Sequence, residues 1–186
     1  MTASAPCDPR WPTAVHEAGH AVAARAFGRS VRRITLIPDE DALAHTLAHP
    51  LPAWFNPEHH WDGRVRNRLE QIVMVFCAGG IAQAHVDPDE AAPLWGSVPD
   101  MGQATELCLF ASGGNEDEAA AYLEWLRLRA FAIVWNPVSW AGIESLAAAL
   151  LKSPTMSGKQ ANLAIQAGLN ALMYSKGILR SCAESR

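Results

Sequence analysis

One five-residue stretch limits what this chain can be: His16-Glu17-Ala18-Gly19-His20. The alanine-rich residues around it read as a helix, with Pro12 suited to its first turn and Gly28 to its stop. In a helix His16 and His20 stand one turn apart on one face, so two imidazoles can share a metal ion. Glu17 sits beside them, placed to take a proton from a water that the metal polarises. Val15, Ala18, Val22 and Ala26 form the apolar stripe of this helix, and Gly19 permits close approach of a neighbour. One Zn2+ ion is the expected cofactor.

At 186 residues the chain is expected to be one domain, residues 1–186, with residues 1–10 a flexible lead-in. Hydrophobic residues make up 49% and charged ones 18%, which excludes a disordered chain. A net charge of −4 gives no electrostatic footprint for nucleic acid or an anionic membrane. The longest apolar run, residues 72–82, is shorter than a bilayer span requires, and no basic-then-apolar leader opens the chain. A soluble, cytoplasmic protein is therefore expected. Cys7, Cys77, Cys108 and Cys182 form no C-x-x-C pair and read as reduced thiols, Cys77 and Cys108 buried. Seven tryptophans are many for this length; burial is expected for most, and a partner-facing surface for some.

Residues 31–37 are rich in β-branched side chains and end at Pro38-Asp39, which reads as strand then turn. Leu43, Ala44, His45, Thr46 and Leu47 alternate as a second strand at a sheet edge, and the prolines at 50, 52 and 57 mark a loop after it. Residues 62–85 form a strong helical pattern with Val65, Leu69, Ile72, Val73, Phe76 and Ile81 inward. Gly79 and Gly80 each cost about 1 kcal/mol against alanine in a helix interior, and contact with the histidine helix is the expected compensation. Helices are expected from Ser97 as cap to about residue 111, from Asn115 or Glu116 to Trp135, from Pro137 to about 151, and from Ser157 as cap to about Tyr174. Ser157-Gly158-Lys159-Gln160 lacks the earlier glycine, the following Ser/Thr and the preceding strand of a phosphate-binding loop, so no ATP binding by this chain is expected. The fold class is mainly α with a small β element (α+β).

The ordered motifs resemble the FtsH-type metallopeptidase domain over about residues 13–165. His16-Glu17-Ala18-Gly19-His20-Ala21-Val22 resembles its zinc helix, and Val31 to Thr46 its following strand pair. Phe76-Cys77-Ala78-Gly79-Gly80-Ile81-Ala82 is similar to its leucine-glycine-glycine helix, Ser97-Val98-Pro99-Asp100-Met101-Gly102-Gln103-Ala104-Thr105 to its asparagine-aspartate-leucine and alanine-threonine segment, and Leu150 to Gln160 to its leucine-rich closing piece. The resemblance implies a helical zincin-type peptidase domain with Asp100 as third metal ligand. A carboxylate in the first turn of a helix is electrostatically suited to that place, and two histidines plus one carboxylate leave a coordination position open. Asp87, Glu90 and His85 are the alternative ligands. The family carries glutamates after its glycine pair where Ala84 and His85 stand here, and an asparagine where Pro99 stands; its membrane anchor and AAA ATPase are expected to be absent.

The implied activity is that of a zinc metalloendopeptidase acting on unfolded or flexible polypeptides, with Glu17 as general base. Residues 43–47 are the expected place for an extended substrate to pair with a sheet edge. His45, His59 and His60 are weak candidates for a second oxyanion donor. The resemblance leaves open a homo-oligomer or a separate ATPase as partner. The competing reading is a catalytically silent zinc-binding scaffold or interaction module.

Overall fold

A computed structural model describes residues 8–37, 45–48, 54–55, 62–88 and 99–177. Among them six helices and three short strands follow the order α1 (Trp11–Ala26), β1 (Val31–Thr35), β2 (His45–Ala48), α2 (Gly63–Val86), α3 (Pro99–Ala111), α4 (Glu116–Val134), α5 (Pro137–Lys152), β3 (Thr155–Ser157) and α6 (Gly158–Ser175). The protein is thus mainly helical with a small antiparallel sheet, as the sequence pattern implies.

Local chemistry accounts for the element boundaries. The Asp62 carboxylate accepts from the backbone N–H of Arg64 and Val65 at the start of α2, Asn115 caps α4, and Asn136 caps α5 with Pro137 next to it. α6 opens with a full capping box: the Ser157 hydroxyl accepts from the Gln160 N–H, and the Gln160 side chain accepts from the Ser157 N–H. After α1 the chain turns at Gly28, whose φ of 67° lies in the left-handed region. Residues 8–10, expected as part of a loose lead-in, form a turn in which Arg10 pairs with Asp8 at 2.7 Å.

α1 is the central element. Its buried set includes Val15, Ala18 and Val22 together with Ala14, Ala21, Ala23 and Ala24, while Ala26, expected on the stripe, is exposed at the helix end. It packs on α2, α5 and α4. Alanine at so many positions lets these helices approach α1 from several sides. Val65, Leu69, Ile72, Val73 and Ile81 of α2 are buried as the pattern predicts, with Phe76 half-buried.

The sheet has the order β2-β1-β3, both pairings antiparallel. Val31 pairs with Ala48 and Thr35 with His45, so β2 is an edge strand among the described residues. β3 was not expected. It places a strand directly before Gly158, so the stated lack of one no longer separates residues 157–160 from a phosphate-binding loop; the capping box and the remaining sequence differences do. Three residues are too few for a periodic signal, and the strand exists because Thr155 can pair with Thr35 across the sheet, hydroxyl to hydroxyl at 2.8 Å.

By length and composition alone α2 is apolar enough to cross a membrane, a property hidden when only the uninterrupted run 72–82 is counted. Its packing on α1, α3 and α4 is that of a core helix. Cys77 and Cys108 are buried free thiols, and burial pushes them up to about 12 and about 11. Of the five described tryptophans only Trp11 is buried. Trp54 and Trp140 are half-buried, Trp140 against the core, while the exposed Trp125 stacks on Tyr122 under Arg129 and the exposed Trp135 stacks on Phe131.

Candidate metal centre

Two helices cross closely enough to build the site because glycine stands at each crossing point. A Cβ on Gly19 of α1 would lie 2.7 Å from the Ala78 carbonyl oxygen and 2.9 Å from the Ala82 side chain. On α2, a Cβ on Gly79 would overlap the His20 ring and lie 2.8 Å from His16 Nε2. Gly79 is therefore the floor under both imidazoles, the contact expected of the glycine pair; Gly80 is half-buried. The absence of a side chain at Gly79 also lets His20 reach the α2 backbone one turn earlier, where its Nδ1 donates to the Val75 carbonyl at 2.8 Å.

His16 is held in the same way from the other end, its Nδ1 donating to Gln83 Oε1 at 2.9 Å. With both Nδ1 atoms committed as donors, the neutral rings present unprotonated Nε2 atoms. These two atoms face each other at 3.0 Å, and Asp100 Oδ2 lies 3.2 Å from His16 Nε2 and 3.1 Å from His20 Nε2. Asp100 is in the first turn of α3, where helix N–H groups favour a carboxylate. His16, His20 and Asp100 thus form a group of three potential metal ligands.

The spacing fits a metal. Donor atoms bonded at about 2.0–2.1 Å to one tetrahedral ion lie about 3.3 Å apart, close to the three separations here. Two imidazole lone pairs and a carboxylate oxygen brought together in a mostly buried site repel unless a cation joins them. In the metal-free protein a proton does that. Burial opposes charge on His20, but the hydrogen bond and attraction to Asp100 outweigh it and push the imidazole up to about 9. Burial likewise opposes charge on Asp100, yet hydrogen bonds to His16 and His20 hold it below the usual carboxylate range.

Glu17 is buried at 4% exposure, an uncommon place for a carboxylate. Its Oε2 accepts from the Thr46 hydroxyl at 2.7 Å, so β2 supplies the hydrogen bond that a buried acid needs. Glu17 also lies near enough to His20 to favour that ring's charged form.

Of the other residues singled out, Thr46 reaches the site through Glu17, and His45 and Leu47 lie in the backbone pairing of β2. Leu43, Ala44, Glu90, His59 and His60 lie outside the described residues. The alternative ligand His85 is exposed and sits edge-on to Trp135 and Trp140, with ring centroids 4.5 and 4.3 Å away. Asp87 caps the end of α2. Gln83 and the Val75 carbonyl were not foreseen. Gln83 carries a legible signal in hindsight, since it lies one turn beyond Gly79 on α2; a backbone carbonyl leaves none.

The sequence matches no protein-family model, and no curated protein matches it.

Proposed function

We propose that this protein is a zinc-dependent metalloendopeptidase of the FtsH-type arrangement, hydrolysing peptide bonds in unfolded or flexible polypeptides. The reading is carried by one observation: two imidazole Nε2 atoms and Asp100 Oδ2 converge at 3.0–3.2 Å, and the adjacent Glu17 is buried and intact. His16, His20 and Asp100 would hold the ion. Zinc, when bound, supplies a Lewis acid that polarises a carbonyl and brings the pKa of water to near 7.

The chain's own residues divide the remaining work. The Nδ1 hydrogen bonds to Gln83 and Val75 fix ring orientation and keep both Nε2 lone pairs available. Glu17 takes the proton from the attacking water and returns it to the amine as the C–N bond breaks. Thr46 holds one carboxylate oxygen of Glu17, leaving the other for proton transfer. β2, with an edge turned away from β1, offers backbone groups along which an extended peptide can pair.

A scaffold that needs only the metal is separated from the enzyme by Glu17→Gln. This variant is expected to retain zinc at one ion per chain while hydrolysis of a flexible casein-type substrate falls by about 10²- to 10⁴-fold. Zinc-loaded parent protein that hydrolyses no peptide would overturn the enzymatic reading and leave the scaffold.

A further inference from the structure

α1 and α2 run antiparallel: His16 meets Gln83 near the end of α2, and His20 meets Val75 earlier in it. The far end of the same pair brings together a different set of side chains. Arg29, just beyond α1, is half-buried, and its charge is disfavoured first by that burial and then by Arg68 of α2. Arg64 and Arg68, one turn apart, both lie over the ring of Trp54, with guanidinium carbons 4.2 and 5.8 Å from the ring centroid. Among the described residues Arg10, Arg66, Arg127 and Arg129 each have a carboxylate partner, and Arg25, Arg29, Arg32, Arg33, Arg64 and Arg68 have none; of these only Arg64 and Arg68 share an aromatic ring. Asp62, at the same helix start, gives Oδ1 to the backbone N–H of Arg64 and Val65.

Two guanidinium groups gathered over one indole repel one another, and an anion relieves that repulsion. The topology points to its source. β2 leads from the site, where Thr46 meets Glu17, to Ala48, which pairs with Val31 two residues from Arg29. Along α2, Arg68 precedes Val75 by 7 residues and Gly79 by 11, a rise of about 10–16 Å. An extended peptide covers that span in about three to five residues. We propose that Arg64 and Arg68, both laid over Trp54, bind carboxylate side chains of the substrate three to five residues from the bond cleaved beside Glu17. This specificity rests on the peptidase reading above. Guanidinium groups suit the role because their paired N–H donors match a carboxylate and the indole holds their planes.

The test uses full-length Glu17→Gln protein, with chelator-treated wild type as a second inactive form, and fluorescently labelled peptides of one sequence carrying a Glu pair, an Ala pair or a Lys pair. The pair is placed four residues to either side of the central bond. Anisotropy is expected to show at least tenfold tighter binding of the Glu peptide in one placement, weakening with salt. In the background of Arg64→Glu with Arg68→Glu the preference is expected to turn to the Lys peptide, with zinc content and helical circular dichroism unchanged. Equal affinity for Glu and Ala peptides, or an unchanged preference in the charge-reversed protein, overturns the proposal. Inorganic phosphate that binds as tightly as the Glu peptide overturns the peptide assignment, leaving a site for a free oxyanion. Wild-type protein that binds the Glu peptide but hydrolyses no peptide overturns the peptidase reading instead, with the anion site intact.

Discussion

Each imidazole at the centre is gripped by its Nδ1, and that grip determines which nitrogen is free. Removing it has a measurable cost. Gln83→Ala leaves His16 without an acceptor and is expected to lower zinc affinity about 10- to 100-fold, while Asp100→Ala, which deletes a donor atom, lowers it further; competition with a chromophoric chelator ranks the two. Protons compete for the same place. His20 is raised to about 9 in the metal-free protein, so its proton must leave before Nε2 can bind zinc. Zinc affinity is therefore expected to climb as pH rises from 6 towards 9 and then level off. Calorimetry in buffers of different ionisation enthalpy should count about one proton released per ion at pH 7; no proton release would contradict the assignment.

The pairing of α1 with α2 depends on what Gly19 and Gly79 lack. A methyl group on Gly79 must displace both rings or part the helices, because it would meet the His20 ring and His16 Nε2. Gly79→Ala is therefore expected to cost about 1–3 kcal/mol through overpacking and to abolish zinc retention, despite the higher helix propensity of alanine. Gly102→Ala in α3 supplies the control, since its added Cβ meets nothing within 4 Å. That substitution should be neutral or stabilise by up to about 1 kcal/mol with zinc retained. Thermal unfolding and metal content of the two variants test the contrast directly. The cap at Ser157 and the helix starts at Asn115 and Pro137 were readable in advance because each rests on a local side-chain-to-backbone contact. β3 was not, because its pairing with β1 spans more than a hundred residues.

Across the whole molecule, a zinc ion held by His16, His20 and Asp100 would tie α1 to α3, so its binding should be visible as stability. Free zinc at 100 times its dissociation constant contributes about 2.7 kcal/mol. For a chain of this size that corresponds to a rise in Tm of about 5–11 °C, reversed by chelation. Scanning calorimetry with and without a chelator measures it, and an unchanged Tm would mean that the three side chains hold no zinc.

The sequence by itself determined the helices and the cap at Ser157, the edge strand, and the placing of His16, Glu17 and His20 on one turn. Those features follow from contacts within a few residues, and periodicity records them. Asp100 became legible only through its resemblance to a known motif, because 80 residues separate it from His20 and no local pattern joins them. Tertiary structure alone decided that Gln83 and the Val75 carbonyl orient the rings, that Thr46 pairs with Glu17, and that Arg64 and Arg68 lie over Trp54. Each of these depends on the depth at which α1 lies against α2 and β2, a distance set by packing, which glycine permits and which no one-dimensional pattern encodes.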